Sequence, residues 1–177
     1  MRPHAKRPAR TVRRSIWLPI CVSLVGLLGA PPPPAHASGP WLWPLSGPVV
    51  RGFDPPGSPY GSGHRGIDIA ALVGTQVLAV DAGTVTFAGT VGGEMFLTIS
   101  HGSGLSSTYS WLSSLLVRRG DLVSRGQPVA LSGWGHPGGF TPCLHLGAKR
   151  AGAYVDPLDY LVSIDLTGLI RLAPLPP

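Results

Sequence analysis

His64-Arg65-Gly66-Ile67-Asp68-Ile69-Ala70 is the stretch whose reading decides the fold. Gly66 to Ile69 reads as a strand entered from a loop, with Ile67 and Ile69 alternating with Asp68. Residues of equal parity on a strand share a face, so His64 and Asp68 converge on one point. Far along the chain, Cys143-Leu144-His145 again carries two metal-capable side chains of equal parity. Two nitrogens and one oxygen from His64, Asp68 and His145 make a candidate catalytic zinc site, with a water in the fourth position. Taken singly, the three read as a hydrogen-bonded histidine, a turn aspartate and a core histidine. A His-x-x-x-Asp spacing alone recurs by chance, so the weight comes from its neighbours.

Working outward, residues 38 to 177 are rich in glycine, proline and β-branched residues and poor in charge. No long window has helical periodicity. Short apolar runs end at glycine-containing punctuation, as at Ala82-Gly83 and Gly102-Ser103-Gly104. The pattern predicts strands near Val49–Phe53, Gly66–Ile69, Gln76–Val80, Gly83–Val91, Phe96–His101, Leu105–Trp111, Pro128–Ser132 and Leu144–Lys149. The expected fold is mainly β: a small antiparallel sheet, sandwich- or barrel-like, with little helix and a groove lined by loops. Two loops lead into the candidate ligands: Asp54–Gly63 runs to His64, and Gly133–Pro142 runs to Cys143. Loops on a rigid sheet are where a groove is usually built.

The chain has 177 residues and a formal charge of +6. Six of its fourteen basic residues (Arg2, Lys6, Arg7, Arg10, Arg13 and Arg14) precede residue 15. An uncharged apolar run from Ile16 to Ala30 follows, then Pro31–Pro34 and Ala35-His36-Ala37. This layout predicts a secretory signal peptide over 1–37, cleaved before Ser38, from a run short for a membrane span. The expected mature chain keeps eight basic and eight acidic residues, so its formal charge is zero. Basicity therefore gives no argument for nucleic acid, and no stable membrane span is expected after cleavage. Cys21 leaves with the leader and Cys143 remains as a solitary thiol, which cannot form an internal disulfide. The domain is expected over 38–162, followed by an apolar tail over 163–177.

From residue 43 on, the order of motifs resembles the lysostaphin/LytM-type peptidoglycan metalloendopeptidases. Trp43-Pro44-Leu45-Ser46-Gly47 resembles the domain opening, followed by His64–Ala70. Gly74–Val85, His101-Gly102, Gly120–Pro128, Leu144-His145 and Val155–Leu161 complete the set. The likeness covers roughly 120 residues of the mature chain, and an ordered set is more specific than any one motif. It implies a grooved β-core, one Zn2+ ion held by His64, Asp68 and His145, and cleavage of peptide cross-links in bacterial cell walls. The implied location is exported, extracellular or wall-associated, with peptidoglycan peptides as the partner.

Two positions depart from the family pattern. Where its Tyr-x-His stretch is expected, this chain has Tyr109-Ser110-Trp111, and the first histidine of His-x-His is Cys143. The resemblance implies that these two histidines assist proton transfer and steady an oxyanion. Indole exchanges no proton near neutral pH, and a thiol of ordinary pKa near 8.5 is a different tool. Cys143 reads as a small buried residue, a weak catalytic candidate or a fourth zinc ligand. His136 reads as a solvated loop histidine or as a replacement for a lost proton-transfer group. Tyr109 and Trp111 read as packing of the groove wall, with sugar stacking as the alternative. His101 reads as structural, and Asp54 reaches towards a metal by position alone. Three functions follow: an exported zinc peptidase with attenuated activity, a non-catalytic zinc-containing module that binds wall peptides or steers another wall hydrolase, or a purely structural wall protein with an empty site.

Overall fold

The computed structural model describes residues 40–58, 61–136 and 141–162; the expected leader and tail lie outside the described residues. Ten strands are seen there: β1 (Val49–Arg51), β2 (Ile67–Ala70), β3 (Gln76–Leu78), β4 (Gly83–Val91), β5 (Glu94–Gly102), β6 (Leu105–Leu115), β7 (Leu122–Val123), β8 (Pro128–Ser132), β9 (Cys143–Arg150) and β10 (Ala153–Val155). One 3-10 turn, Pro157–Asp159, follows. The fold is mainly β and antiparallel, as expected. β7 and β10 were not anticipated, because strands of two or three residues carry too little alternation to be read.

The sheet runs β1-β2-β9-β6-β5-β4-β7, with β10 beside β9 and β3 beside β8. Its core comes from alternate residues of the long strands. Ile67 and Ile69 of β2, Leu144 and Leu146 of β9, and Leu97 and Ile99 of β5 are all fully buried. Burying each such side chain stabilises the fold by roughly 1.5–3 kcal/mol. The domain's ends are tied together. Trp41, itself buried, pairs in parallel with Leu161, and the Trp43 indole N–H donates to the Val162 carbonyl at 2.9 Å.

Two features of this sheet position the site. First, β2 pairs with β9 in a register that sets Asp68 directly opposite His145. Opposed residues on neighbouring antiparallel strands have Cβ atoms about 4.5–5.5 Å apart. Second, β6 changes partner midway: Ser110 still pairs with His145 of β9, whereas Leu112 pairs with Ser132 of β8. Trp111 sits at this fork with φ of 58°, an outlier for a bulky residue that costs of order 1–3 kcal/mol. Its carbonyl accepts from the Gly133 N–H at 3.0 Å. β8 therefore ends at Ser132, with Gly133 held against Trp111, and β9 begins at Cys143.

His64 reaches the site differently from the expectation. It lies outside β2, and strand parity does not aim it. Its backbone bridges Asp54, N–H to carbonyl in both directions at 2.9 and 2.7 Å. Asp54 therefore holds His64 by its main chain, and its carboxylate stands outside the cluster described below.

Gly66, between His64 and Asp68, is a point of close approach. A Cβ there would fall on the Leu146 carbonyl and within 2.8 Å of the His145 Nε2. Gly66→Ala is expected to push β2 from β9 and cost roughly 1–3 kcal/mol or more. Urea unfolding should show a lowered midpoint; an unchanged midpoint would contradict the close packing.

Candidate metal centre and groove

The centre is built on β2, β9 and the Asp54 bridge. The His64 Nδ1 lies 2.7 Å from the Gly52 carbonyl oxygen. That carbonyl can only accept, so Nδ1 carries the proton and Nε2 turns a lone pair inward. Nε2 faces the Asp68 Oδ1 at 3.1 Å and the His145 Nδ1 at 3.0 Å. Asp68 Oδ1 and His145 Nδ1 are 2.8 Å apart. All three side chains are buried.

A proton on the His145 Nδ1 can serve one neighbour. The His64 lone pair and the Asp68 oxygen still meet acceptor to acceptor, away from water. Such a trio is costly unless a cation lies between its members. Tetrahedral zinc with bonds of 2.0–2.1 Å sets its ligand atoms about 3.3 Å apart. The observed separations are up to half an ångström tighter. The donor set and its second-sphere carbonyl fit a zinc ion.

A fourth group joins them. The His136 Nε2 is 3.4 Å from the Asp68 Oδ1, and the four donor atoms of His64, Asp68, His136 and His145 lie within 4.8 Å of one another. The His136 ring lies against Trp111, with centroids 3.9 Å apart and planes tilted by 39°. Burial holds the His136 pKa below the usual imidazole range, against the pull of Asp68 and helped by His145 and His64. Burial alone would raise the Asp68 pKa. The His145 hydrogen bond and the electrostatic pull of the surrounding His145, His64 and His136 rings outweigh it, and the carboxyl stays below its ordinary value.

Cys143 shares a face with His145 but stands outside this cluster of donor atoms, so the structure does not bring it in as a fourth ligand. Its sulfur packs on Gly135, where a Cβ would come within 2.5 Å of it. Burial pushes the thiol pKa up, Asp68 adds to that, and the His136 backbone N–H opposes it. Tyr109 is fully buried, and its hydroxyl accepts from the Val80 N–H at 3.0 Å. Burial, with a smaller push from Asp81, drives its pKa up to about 12. Tyr109 therefore packs in the groove wall, as expected, with no exposed ring face for stacking. His101 is structural: its Nδ1–H donates to the Ala82 carbonyl at 2.9 Å.

The groove above the centre encloses about 360 Å³ and is lined by Trp111, Phe96, Lys149 and Tyr154 beside the histidines. A second depression, lined by Phe53, Pro55 and Pro56, meets it at Arg65 and Tyr154. Tyr154 carries the Lys149 ammonium 4.5 Å from its ring centroid and the Arg65 guanidinium at 6.0 Å. Sequence reading missed Phe96, Lys149 and Tyr154. The hairpin signal was present at Ala151-Gly152, but only the register, Tyr154 against Lys149, shows which side chains meet.

Fold and centre together define a class: a β-domain with a His/Asp metal-type cluster on the floor of an open groove. The model for Peptidase family M23 matches residues 62–157, and the chain belongs to that family. An uncharacterized protein of Mycobacterium tuberculosis is 40% identical over 183 residues, 97% of this chain and 71% of its own length. Murein hydrolase activator NlpD of Salmonella dublin is 34% identical over 123 residues, 68% of this chain and 31% of its own. A zinc containing peptidase from Vibrio cholerae superposes with a TM-score of 0.59 at 29% identity, over 67% of this chain and 39% of that one. The catalytic domain of lysostaphin from Staphylococcus simulans gives 0.56 at 25% identity, over 64% and 90%. The chain thus spans less than half of the Salmonella activator and of the Vibrio peptidase.

The thiolate is the reactive form of cysteine, so Cys143 is expected to resist iodoacetamide at pH 7.5 in the native protein and to react once unfolded. Mass spectrometry of the alkylated chain checks this; native labelling at the rate of a free thiol would contradict it.

Proposed function

We propose that this chain is an exported zinc hydrolase that cleaves peptide bonds in peptidoglycan, with attenuated turnover. The observation that carries the reading is the meeting of the His64, Asp68 and His145 donor atoms at 2.8–3.1 Å, with the His64 tautomer fixed by Gly52. Zinc held there would polarise a peptide carbonyl and lower the pKa of its water to about 7. The protein's part is to hold the ion and to align an extended peptide over it. Lys149 and Arg65, set about Tyr154, offer cationic groups for peptide carboxylates along the groove. The family membership and the named activities of the relatives support the wall as the site of action, and the basic-then-apolar sequence pattern before Ser38 supports export.

Turnover is attenuated because two proton-transfer groups are missing. Trp111 exchanges no proton, and Cys143 holds its own at neutral pH. Each lost acid–base group typically costs roughly 10²–10⁴ in rate. His136 is the one remaining imidazole beside the cluster among the described residues.

A second reading is a non-catalytic zinc-containing module that binds wall peptides and steers another hydrolase. The paired replacement of Trp111 and Cys143 favours it, together with the likeness to a murein hydrolase activator. Incubating the protein with purified peptidoglycan separates the two. Slow release of soluble muropeptides, abolished in His145→Ala, is the expected result. Binding without release, equal to that of the mutant, would give the second reading instead.

A further inference from the structure

Three protein ligands suffice for a hydrolytic zinc site, because the fourth position belongs to water. Here that position faces another side chain. The His136 Nε2 is 3.4 Å from the Asp68 Oδ1, at the ligand spacing of tetrahedral zinc. That nitrogen is buried yet has no hydrogen-bond partner, although buried polar atoms nearly always have one. The ring as a whole keeps 27% of its surface exposed, so solvent reaches the ring while the nitrogen itself is turned inward.

Its pose is held from two sides. Trp111, in its strained conformation at the fork of β6, lies under the ring at 3.9 Å. The preceding residue, Gly135, has φ of 92° and packs against the Cys143 sulfur with no room for a Cβ. The His136 backbone N–H also points at that sulfur. The two residues that depart from the family's pattern, Trp111 and Cys143, are thus the two that seat His136.

We propose that His136 is a fourth protein ligand, completing a His64–Asp68–His136–His145 shell around the ion. The inference rests on the three-ligand reading above and deepens it. A shell of four protein groups leaves no place for water, as in structural zinc sites. With zinc bound, these four groups would make a closed centre, and opening a position for water would fall to the His136 side chain. This accounts for why a histidine takes up the site while the two proton-transfer groups are gone.

The test is zinc coordination in the purified full chain, read by X-ray absorption and by chelator competition. Wild type should show four N/O neighbours including three imidazoles. His136→Ala should show two imidazoles and a water oxygen. Its zinc affinity should fall by at least about tenfold, since losing even an outer-sphere partner costs roughly 10–100-fold. Gly135→Ala keeps the imidazole but displaces it, and should reproduce the loss. If His136→Ala and Gly135→Ala keep the wild-type imidazole count and affinity, the proposal is overturned while the three-ligand site stands. If wild type takes up no stoichiometric zinc and His145→Ala behaves identically, both readings fall.

Discussion

The pairing of β2 with β9 is the constraint on which the rest depends. It sets Asp68 opposite His145 and, through Ile67, Ile69, Leu144 and Leu146, builds the middle of the core with the opposite faces of the same strands. One register serves both ends, and a slip of one residue would turn the isoleucines outward and the ligands inward. The close approach at Gly66 shows how little slack this pairing has: nothing larger than hydrogen fits between Asp68's strand and the Leu146 carbonyl. The metal-type centre is therefore not an addition to the fold but one face of its most tightly packed seam.

Much of this was legible in the sequence because period-two alternation and glycine punctuation are local signals. β4 and β8 fall where the alternation puts them, and β2 within one residue. The convergence of His64, Asp68 and His145 was legible too, though partly for the wrong reason. Strand parity suggested that His64 and Asp68 share a face, whereas a backbone bridge to Asp54 brings His64 in from a loop. Pairings of that kind join segments that no spacing rule connects. The same holds for Trp41 with Leu161, and for Tyr109, whose place in the groove wall follows from a hydrogen bond to Val80. His136 was visible only as a loop histidine. Its closeness to Asp68 depends on the fork in β6 and on the Cys143 sulfur, both tertiary facts.

Trp111 and Cys143 looked like losses when read one position at a time. In three dimensions they form a coherent pair, an indole under the His136 ring and a sulfur against the backbone just before it. The strain of Trp111 at positive φ is of the kind that persists where surrounding structure over-determines it; here the β8 and β9 pairings on either side do so. Together they hold one more imidazole, that of His136, against the His64–Asp68–His145 cluster.

The central claim is that three side chains from separate parts of the chain surround one divalent ion. The most direct measurement is anomalous diffraction above the zinc edge from crystals grown with equimolar zinc. The account predicts a single strong peak about 2.0–2.2 Å from the His64 Nε2, the Asp68 oxygen and the His145 Nδ1. A peak elsewhere, or full occupancy of that point by water with zinc present, would contradict it.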